Sequence, residues 1–81
     1  MDAHTLKTML ESRNTKVKIW YDEYGKLHVV TTSYSDFFKE YSITFSGITL
    51  WFDRFKYEHI KDRLILISGL NVVAFVDGDL K

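Results

Sequence analysis

The sequence predicts a mainly β fold, in which a short N-terminal helix precedes a small, strongly bent antiparallel barrel of about five strands. Short segments rich in β-branched and aromatic residues follow one another from position 15 onward. Glycines 25, 47 and 69 stand where these segments change direction, and glycine takes tight bends at low cost. Apolar residues at clear helical spacing occur in the first thirteen positions, whereas Phe52, Phe55 and Ile60 fit a helical face only imperfectly.

Composition limits the domain and its partners. A chain of 81 residues has room for one domain, 1–81, with a modest core, and it contains no cysteine for disulfides or thiolate metal sites. Lys plus Arg (11) balances Asp plus Glu (11), so no overall positive field attracts nucleic acid. No apolar segment approaches the ~20 residues of a bilayer-spanning helix, and no signal-peptide pattern is visible. These features predict a cytoplasmic protein without a membrane partner, with a nuclear location as the alternative in a eukaryote.

The predicted helix covers residues 2–13. Asp2 is placed to cap it, and Leu6, Met9 and Leu10 share one face. Because an isolated helix of this length is unstable in water, we expect its apolar face to dock on the open end of the barrel.

A β-hairpin follows the helix. Residues 15–21 alternate, with Val17, Ile19 and Tyr21 on one face, and residues 26–34 return as a second strand after a turn that contains Gly25. The hairpin is the first half of the predicted barrel, which spans about residues 15–77.

Two adjacent phenylalanines interrupt the strand pattern at residues 35–40. Neighbouring residues of a strand point to opposite faces, so Phe37 and Phe38 cannot both enter one core. One interpretation is that one ring plugs the core while the other covers a barrel edge. The other is an exposed aromatic platform on which a nucleic-acid base stacks.

The second half of the chain supplies the remaining strands. Residues 41–46 and 48–52 are predicted strands around a bend at Gly47, and residues 53–62 fit either a continued, bent strand or a loop. Residues 63–79 form two apolar runs joined at Gly69, which we interpret as a hairpin. Neither run alternates cleanly, so both faces are covered or one face awaits a partner subunit. Strands this short and this bent close most easily into an SH3-like barrel.

From Leu6 to Asp79 this order of elements resembles the Sm-like (LSm) family. The family's second motif is similar to residues 67–73, with Gly69 and Asn71 in the expected places. Its first motif carries an acidic residue, an aromatic residue and an asparagine at alternate positions. These positions fall on Ser35, Phe37 and Lys39, of which only the aromatic residue matches. A looser likeness to the YolD-like barrels of bacteria and phages covers residues 17–60.

The resemblance implies a subunit of a ring-shaped oligomer, built from itself or from other Sm-like subunits, that binds single-stranded RNA at its pore in RNA processing or turnover. In the family, the loop aromatic and an arginine before the motif glycine sandwich a base. The arginine position here is Ser68. The implied RNA-binding residues are Ser35, Phe37, Lys39, Ser68 and Gly69.

Strand edges give an independent argument for assembly. Long apolar edges without lysine or proline are templates for another chain, and residues 64–67 and 72–76 are predicted to be such edges. Pairing of unlike edges between identical subunits can close into a ring. The predicted interface consists of Leu64, Leu66, Val72, Val73 and Phe75.

Catalytic, metal-binding and cofactor signatures are absent from the sequence. His4, His28 and His59 lack ligand-like spacing and are expected at the surface or at strand edges. The sequence therefore predicts a protein that is not an enzyme and has no cofactor. The alternative function is a small SH3-like barrel that binds a protein, for example a bacterial or phage regulator or inhibitor, through Trp20, Trp51 and the exposed phenylalanines.

Overall fold

The computed structural model describes residues 2–77, which form one helix and seven strands. The prediction of a mainly β protein with a short N-terminal helix is confirmed, while residues 78 and 79 of the predicted tail hairpin lie outside the described residues. The elements are α1 (Ala3–Glu11), β1 (Lys16–Tyr21), β2 (Leu27–Ser35), β3 (Glu40–Phe45), β4 (Ile48–Phe52), β5 (Arg54–Glu58), β6 (Arg63–Ser68) and β7 (Asn71–Asp77). Residues 2–77 contain no helix that is long and apolar enough to cross a lipid bilayer.

The strands form two antiparallel sheets, in the orders β1-β2-β3-β4 and β5-β6-β7. Only Asp53 separates β4 from β5, and its backbone N–H donates to the carbonyl of Ile67 at 3.0 Å. The chain therefore passes at Asp53 directly from the last strand of the first sheet into the first strand of the second sheet. We call this succession of seven strands the ribbon; it begins with β1 and ends with β7. The described residues form seven strands in two sheets, where the sequence predicts about five strands, and hydrogen bonds between strands do not close them into one barrel.

The core lies between the two sheets and is closed on one side by α1. Alternation along the strands turns one face of each sheet inward, and the helix adds its apolar face. The buried apolar residues are Ala3, Leu6, Leu10, Val30, Tyr41, Ile43, Phe52, Leu64 and Leu66.

The helix begins and ends as its local sequence dictates. A carboxylate oxygen of Asp2 accepts from the backbone N–H of Thr5 at 2.7 Å, as an N-cap does. Arg13 then takes a left-handed conformation (φ 58°), which ends the helical path. Leu6 and Leu10 are buried as predicted, whereas Met9 only packs at the rim of the core.

The ambiguous segment 53–62 contains a strand. β5 pairs with β6 from Arg54 opposite Ile67 to Glu58 opposite Arg63. The prediction that residues 64–67 form a free edge is wrong, because β6 lies between β5 and β7 and is hydrogen-bonded on both sides. The edge strands of this sheet are β5 and β7, and of these β7 contains residues 72–76, the other predicted edge.

A cleft of about 250 Å³ marks the place where β4 and β7 face each other without hydrogen bonding. Its lining is almost entirely apolar and comes from α1, β3, β4 and β7, including Leu6, Ile43, Leu50, Ala74 and Val76. The core is therefore open along this seam.

Candidate functional site

Two connections lie at one end of the molecule, which we call the loop end. They are the turn at residues 36–39, between β2 and β3, and the bend at Gly69, between β6 and β7. Tyr41, at the start of β3, pairs with Phe52 at the end of β4. The next residue, Asp53, accepts a hydrogen bond from the backbone N–H of Gly69 at 3.1 Å. The pairing of β3 with β4 thus carries both connections to the same end.

Ser35 shapes the first of these connections. Its carbonyl accepts from the backbone N–H of Lys39 at 2.8 Å, and its hydroxyl accepts from the backbone N–H of Phe38 at 3.1 Å. Lys39 completes the turn in a left-handed conformation (φ 56°), which is uncommon outside glycine. Ser35 therefore holds the shape of the turn, and the Lys39 side chain is exposed at its end.

Both phenylalanines of this turn face solvent. The side chain of Phe37 is 86% exposed and that of Phe38 is 69% exposed, and their ring centroids are 4.9 Å apart in an edge-to-face arrangement. The interpretation that one ring plugs the core is wrong. The turn closed by Ser35 lies beyond the paired part of the strands, so neither ring can turn back inward.

Arg54 lies at the second connection. It pairs with Ile67 across the sheet, its guanidinium donates to the carbonyl of Gly69, and its Nε lies 3.4 Å from a carboxylate oxygen of Asp53. Gly69 has φ 61° and its missing Cβ would meet nothing within 4 Å, so the bend requires glycine for its backbone conformation alone. Ser68 pairs with Asn71 next to the bend.

A further guanidinium lies near the first connection. Arg13, just after α1, lies over the ring of Tyr34, 4.9 Å from its centroid. A hydrogen bond to Tyr41 raises the pKa of Arg13 above its usual value, and the charge of Asp36 acts in the same direction. Sequence reasoning did not identify Arg13 or Arg54, because nothing in their local spacing connects them to the loop end.

The structure places the predicted RNA-binding residues in two groups at the loop end. Ser35, Phe37 and Lys39 belong to the turn, and Ser68 and Gly69 belong to the bend. Within residues 2–77, no hydrogen bond, ion pair or ring contact joins the turn directly to the bend. The chain thus presents the aromatic rings and the Arg54 guanidinium at the same end as separate groups.

The predicted interface residues differ in exposure. Val72, Val73 and Phe75 are exposed on β7, whose outer edge is unpaired among the described strands. Leu64 and Leu66 are fully buried beneath α1 and β2 to β4, so their side chains are not available to a neighbouring subunit. Their burial reflects the central position of β6.

His28 is buried, which corrects the expectation of a surface or edge histidine. Its ring stacks on Trp20 at a centroid distance of 4.9 Å, and its Nε2 lies 2.9 Å from a carboxylate oxygen of Asp22. Asp22 also accepts from the backbone N–H groups of Tyr24 and Lys26, each at 2.9 Å. These hydrogen bonds lower the pKa of Asp22, and the bond with His28 has the largest effect. The pair therefore ties the β1–β2 turn to the start of β2.

We expect Asp22→Asn to lower the melting temperature by several degrees at neutral pH, because the buried His28 loses its charged partner. Since folding lowers the pKa of Asp22, its stabilising effect is complete above the unfolded value of about 4 and is lost as the pH falls through the folded value. The difference in melting temperature between the two proteins should therefore begin to shrink as the pH falls below about 4 and disappear once the pH is below the folded value. Glu23→Gln, at the exposed neighbouring position, is the control, and a constant difference down to pH 2 would contradict the assignment.

No group of three His, Cys, Asp or Glu side chains within residues 2–77 is arranged to hold a metal ion. Comparison of the whole chain with protein-family models, with curated proteins and with solved structures found no match.

Proposed function

We propose that the protein is an Sm-like subunit that binds single-stranded RNA at the loop end and that its ribbon is an open form of the SH3-like barrel. The observation that carries the proposal is the exposure of two adjacent phenylalanine rings, Phe37 and Phe38, at the tip of a turn that is held by Ser35. Apolar rings exposed together at one tip are typical of a surface that contacts a partner.

Stacking is the form of RNA recognition that suits this chain. The net charge is zero, so attraction to phosphates is weak, whereas a base stacked on an aromatic ring contributes about 1–3 kcal/mol irrespective of overall charge. The two rings stand at 85° to each other, and each leaves at least one face open to solvent. A base could therefore stack on either ring without displacing a core residue.

Arg54 supports the proposal from the other connection. The resemblance calls for an arginine directly before the motif glycine, where this chain has Ser68. The guanidinium of Arg54, which comes from the neighbouring strand, instead lies at Gly69 and keeps an exposed side chain. Guanidinium planes stack on bases and bind phosphates. Arg54 can therefore make the contact with a base that the family's arginine makes and that Ser68 cannot make.

Assembly of several subunits would increase the number of contacts with one RNA strand. The two ends of the ribbon, β1 and β7, have unpaired edges, and β7 exposes Val72, Val73 and Phe75 beside its edge. Pairing of β7 from one subunit with β1 of the next is heterologous and closes into a ring if the rotation divides a circle. Each added subunit would bring another Phe37–Phe38 turn to the same RNA strand, which raises the overall affinity.

Fluorescence anisotropy with a labelled oligouridylate tests the RNA site. Relative to the unmodified protein, the double variant Phe37→Ala/Phe38→Ala should bind at least tenfold more weakly, which corresponds to the loss of about 1.4 kcal/mol of stacking. Its far-UV circular dichroism should be unchanged, because neither ring contacts the core. Ile60→Ala is the matched control, since Ile60 is 97% exposed in the β5–β6 turn.

Salt dependence separates stacking from phosphate binding. A stacked complex should lose little affinity between 50 and 200 mM salt, whereas contact with many phosphates gives a steep loss. Equal affinity of the double variant and the unmodified protein, or no binding by either at micromolar concentration, would contradict the proposal.

The same exposed rings favour a second candidate, a module that binds a protein. Trp51 is exposed on β4, and aromatic side chains are the usual anchors of protein interfaces. Trp20 is a weaker anchor than the sequence suggests, because it is half-buried against His28. Failure of the RNA titration, with an intact fold, would leave this second candidate.

A further inference from the structure

The outward side of the β1–β2 hairpin is apolar over its whole length. We call it the hairpin face and define it by Val17, Ile19, Tyr21, Leu27 and Val29. In the strand register Ile19 lies opposite Val29 and Tyr21 lies opposite Leu27, so the side chains form a continuous surface. Their exposure lies between 37% and 69%, and no described element covers them.

The hairpin face carries no charge. The two lysines of β1, Lys16 and Lys18, alternate with the face residues and so project from the other side of the strand. On this face, the next rows toward β4 are hydroxyl side chains that bond to one another. The hydroxyls of Ser33 and Ser42 are 2.6 Å apart.

The second hydroxyl pair, Thr44 and Thr49, closes at 2.8 Å between β3 and β4. Hydroxyls that already have a partner lose less on burial than hydroxyls that must give up water. The hydroxyl rows therefore extend the hairpin face with a surface that can be covered at low cost.

We propose that the hairpin face docks on the same face of a second copy of this chain, around a two-fold axis. A two-fold contact sets each residue against the same patch, so any charge on the patch would approach its own sign. Because the hairpin face has no charged residue, contact between two copies carries no such repulsion. An oppositely charged partner protein would find no group on this face to pair with.

The size of the hairpin face suits such a contact. Its five side chains expose on the order of 500 Å² per copy, within the range of the largest apolar patches of monomers. The hydroxyl rows add a smaller area, mainly at Thr49 because Ser42 is buried, so the contact is smaller than the roughly 800 Å² per partner of a standard interface and corresponds to a dimer that dissociates at low concentration. Among the described residues only nine apolar side chains are buried, so a second layer against the sheet would substantially enlarge the core.

The arrangement differs from edge-to-edge ring assembly. Two sheets that meet face to face pack about 10 Å apart and form a sandwich, which a two-fold axis closes at two copies. The contact uses neither the loop end nor the outer edge of β7. It is therefore independent of RNA binding and can be tested separately.

Sedimentation equilibrium between about 1 and 100 μM tests the dimer. In the absence of RNA, when no RNA strand gathers subunits for edge pairing, the unmodified protein should be a dimer at the upper concentration. Ile19→Lys should raise the dissociation constant at least tenfold, because an ammonium group from each copy would be buried in the contact. Ile19→Thr keeps a β-branched side chain and should weaken the dimer less. Ile60→Lys is the control, since it adds the same charge at an equally exposed isoleucine away from the face.

Each other outcome overturns the proposal. A monomer at 100 μM excludes the dimer, and an Ile19→Lys or Ile19→Thr variant that dimerises like the unmodified protein excludes this face. A particle larger than a dimer that persists in Ile19→Lys points to edge pairing instead. Circular dichroism of all variants distinguishes loss of association from loss of fold.

Discussion

Replacement of Phe52 by alanine is expected to lower the free energy of unfolding by about 3–5 kcal/mol. Phe52 is the last residue of β4, is fully buried and stacks on Tyr41 with ring centroids 5.7 Å apart. The next residue, Asp53, carries the chain into the second sheet and bonds to Ile67 and Gly69. Removal of the Phe52 ring would therefore leave a cavity where the two sheets join. Neighbouring side chains could fill this cavity only if both sheets moved.

Urea denaturation of Phe52→Ala and of Trp51→Ala measures this effect. Trp51 precedes Phe52 on the same strand but points outward and is 54% exposed, so its replacement should cost about 1 kcal/mol or less. Because small domains have only about 5–15 kcal/mol of stability, Phe52→Ala should lose a large part of it. Equal midpoints for the two variants would show that the sheets are not joined through Phe52.

Strands with alternating apolar residues, and bends that contain glycine, could be predicted from the sequence. The alternation of Val17, Ile19 and Tyr21 gave β1 and its two faces, and Gly69 gave the bend between β6 and β7. These signals are local, since a period of two and a residue that accepts positive φ act within a few positions. Asp2 was identified as a helix cap for the same reason.

Features that depend on pairing between distant residues could not be predicted. The position of Arg54 at the bend follows from its pairing with Ile67, thirteen residues further on. The burial of His28 follows from its ring contacts with Trp20 and Phe45 and from its bond to Asp22. Residue types alone do not reveal which strands become neighbours.

The run at residues 64–67 shows why the predicted interface was wrong in part. A near-continuous apolar run indicates that both faces of a strand are covered, but it does not say whether the same chain or another chain covers them. In the structure, α1 and the first sheet cover Leu64 and Leu66, and neighbouring strands pair with both edges of β6. Only the β7 part of the predicted interface stays exposed.

Replacement of Leu6 by alanine is the second large effect that we expect, at about 2–5 kcal/mol. Leu6 is fully buried on α1 and also lines the apolar cleft between β4 and β7. Removal of the Leu6 side chain would leave a new cavity that is continuous with this cleft. In addition, the nine-residue helix is too short to stay helical unless it packs on the sheets. Thr8→Ala, on the exposed side of the same helix, should change stability by no more than about 0.5 kcal/mol.

The manner of unfolding is as informative as the midpoint. If α1 is part of the core, far-UV circular dichroism and tryptophan fluorescence should report one transition for Leu6→Ala, shifted to lower urea concentration. Helical signal that disappears first, while the fluorescence transition stays at the position of the unmodified protein, would mean that the sheets fold without the helix. The contacts of Leu6 and Leu10 with the inner faces of both sheets favour the single transition, because the core loses its third side when the helix leaves.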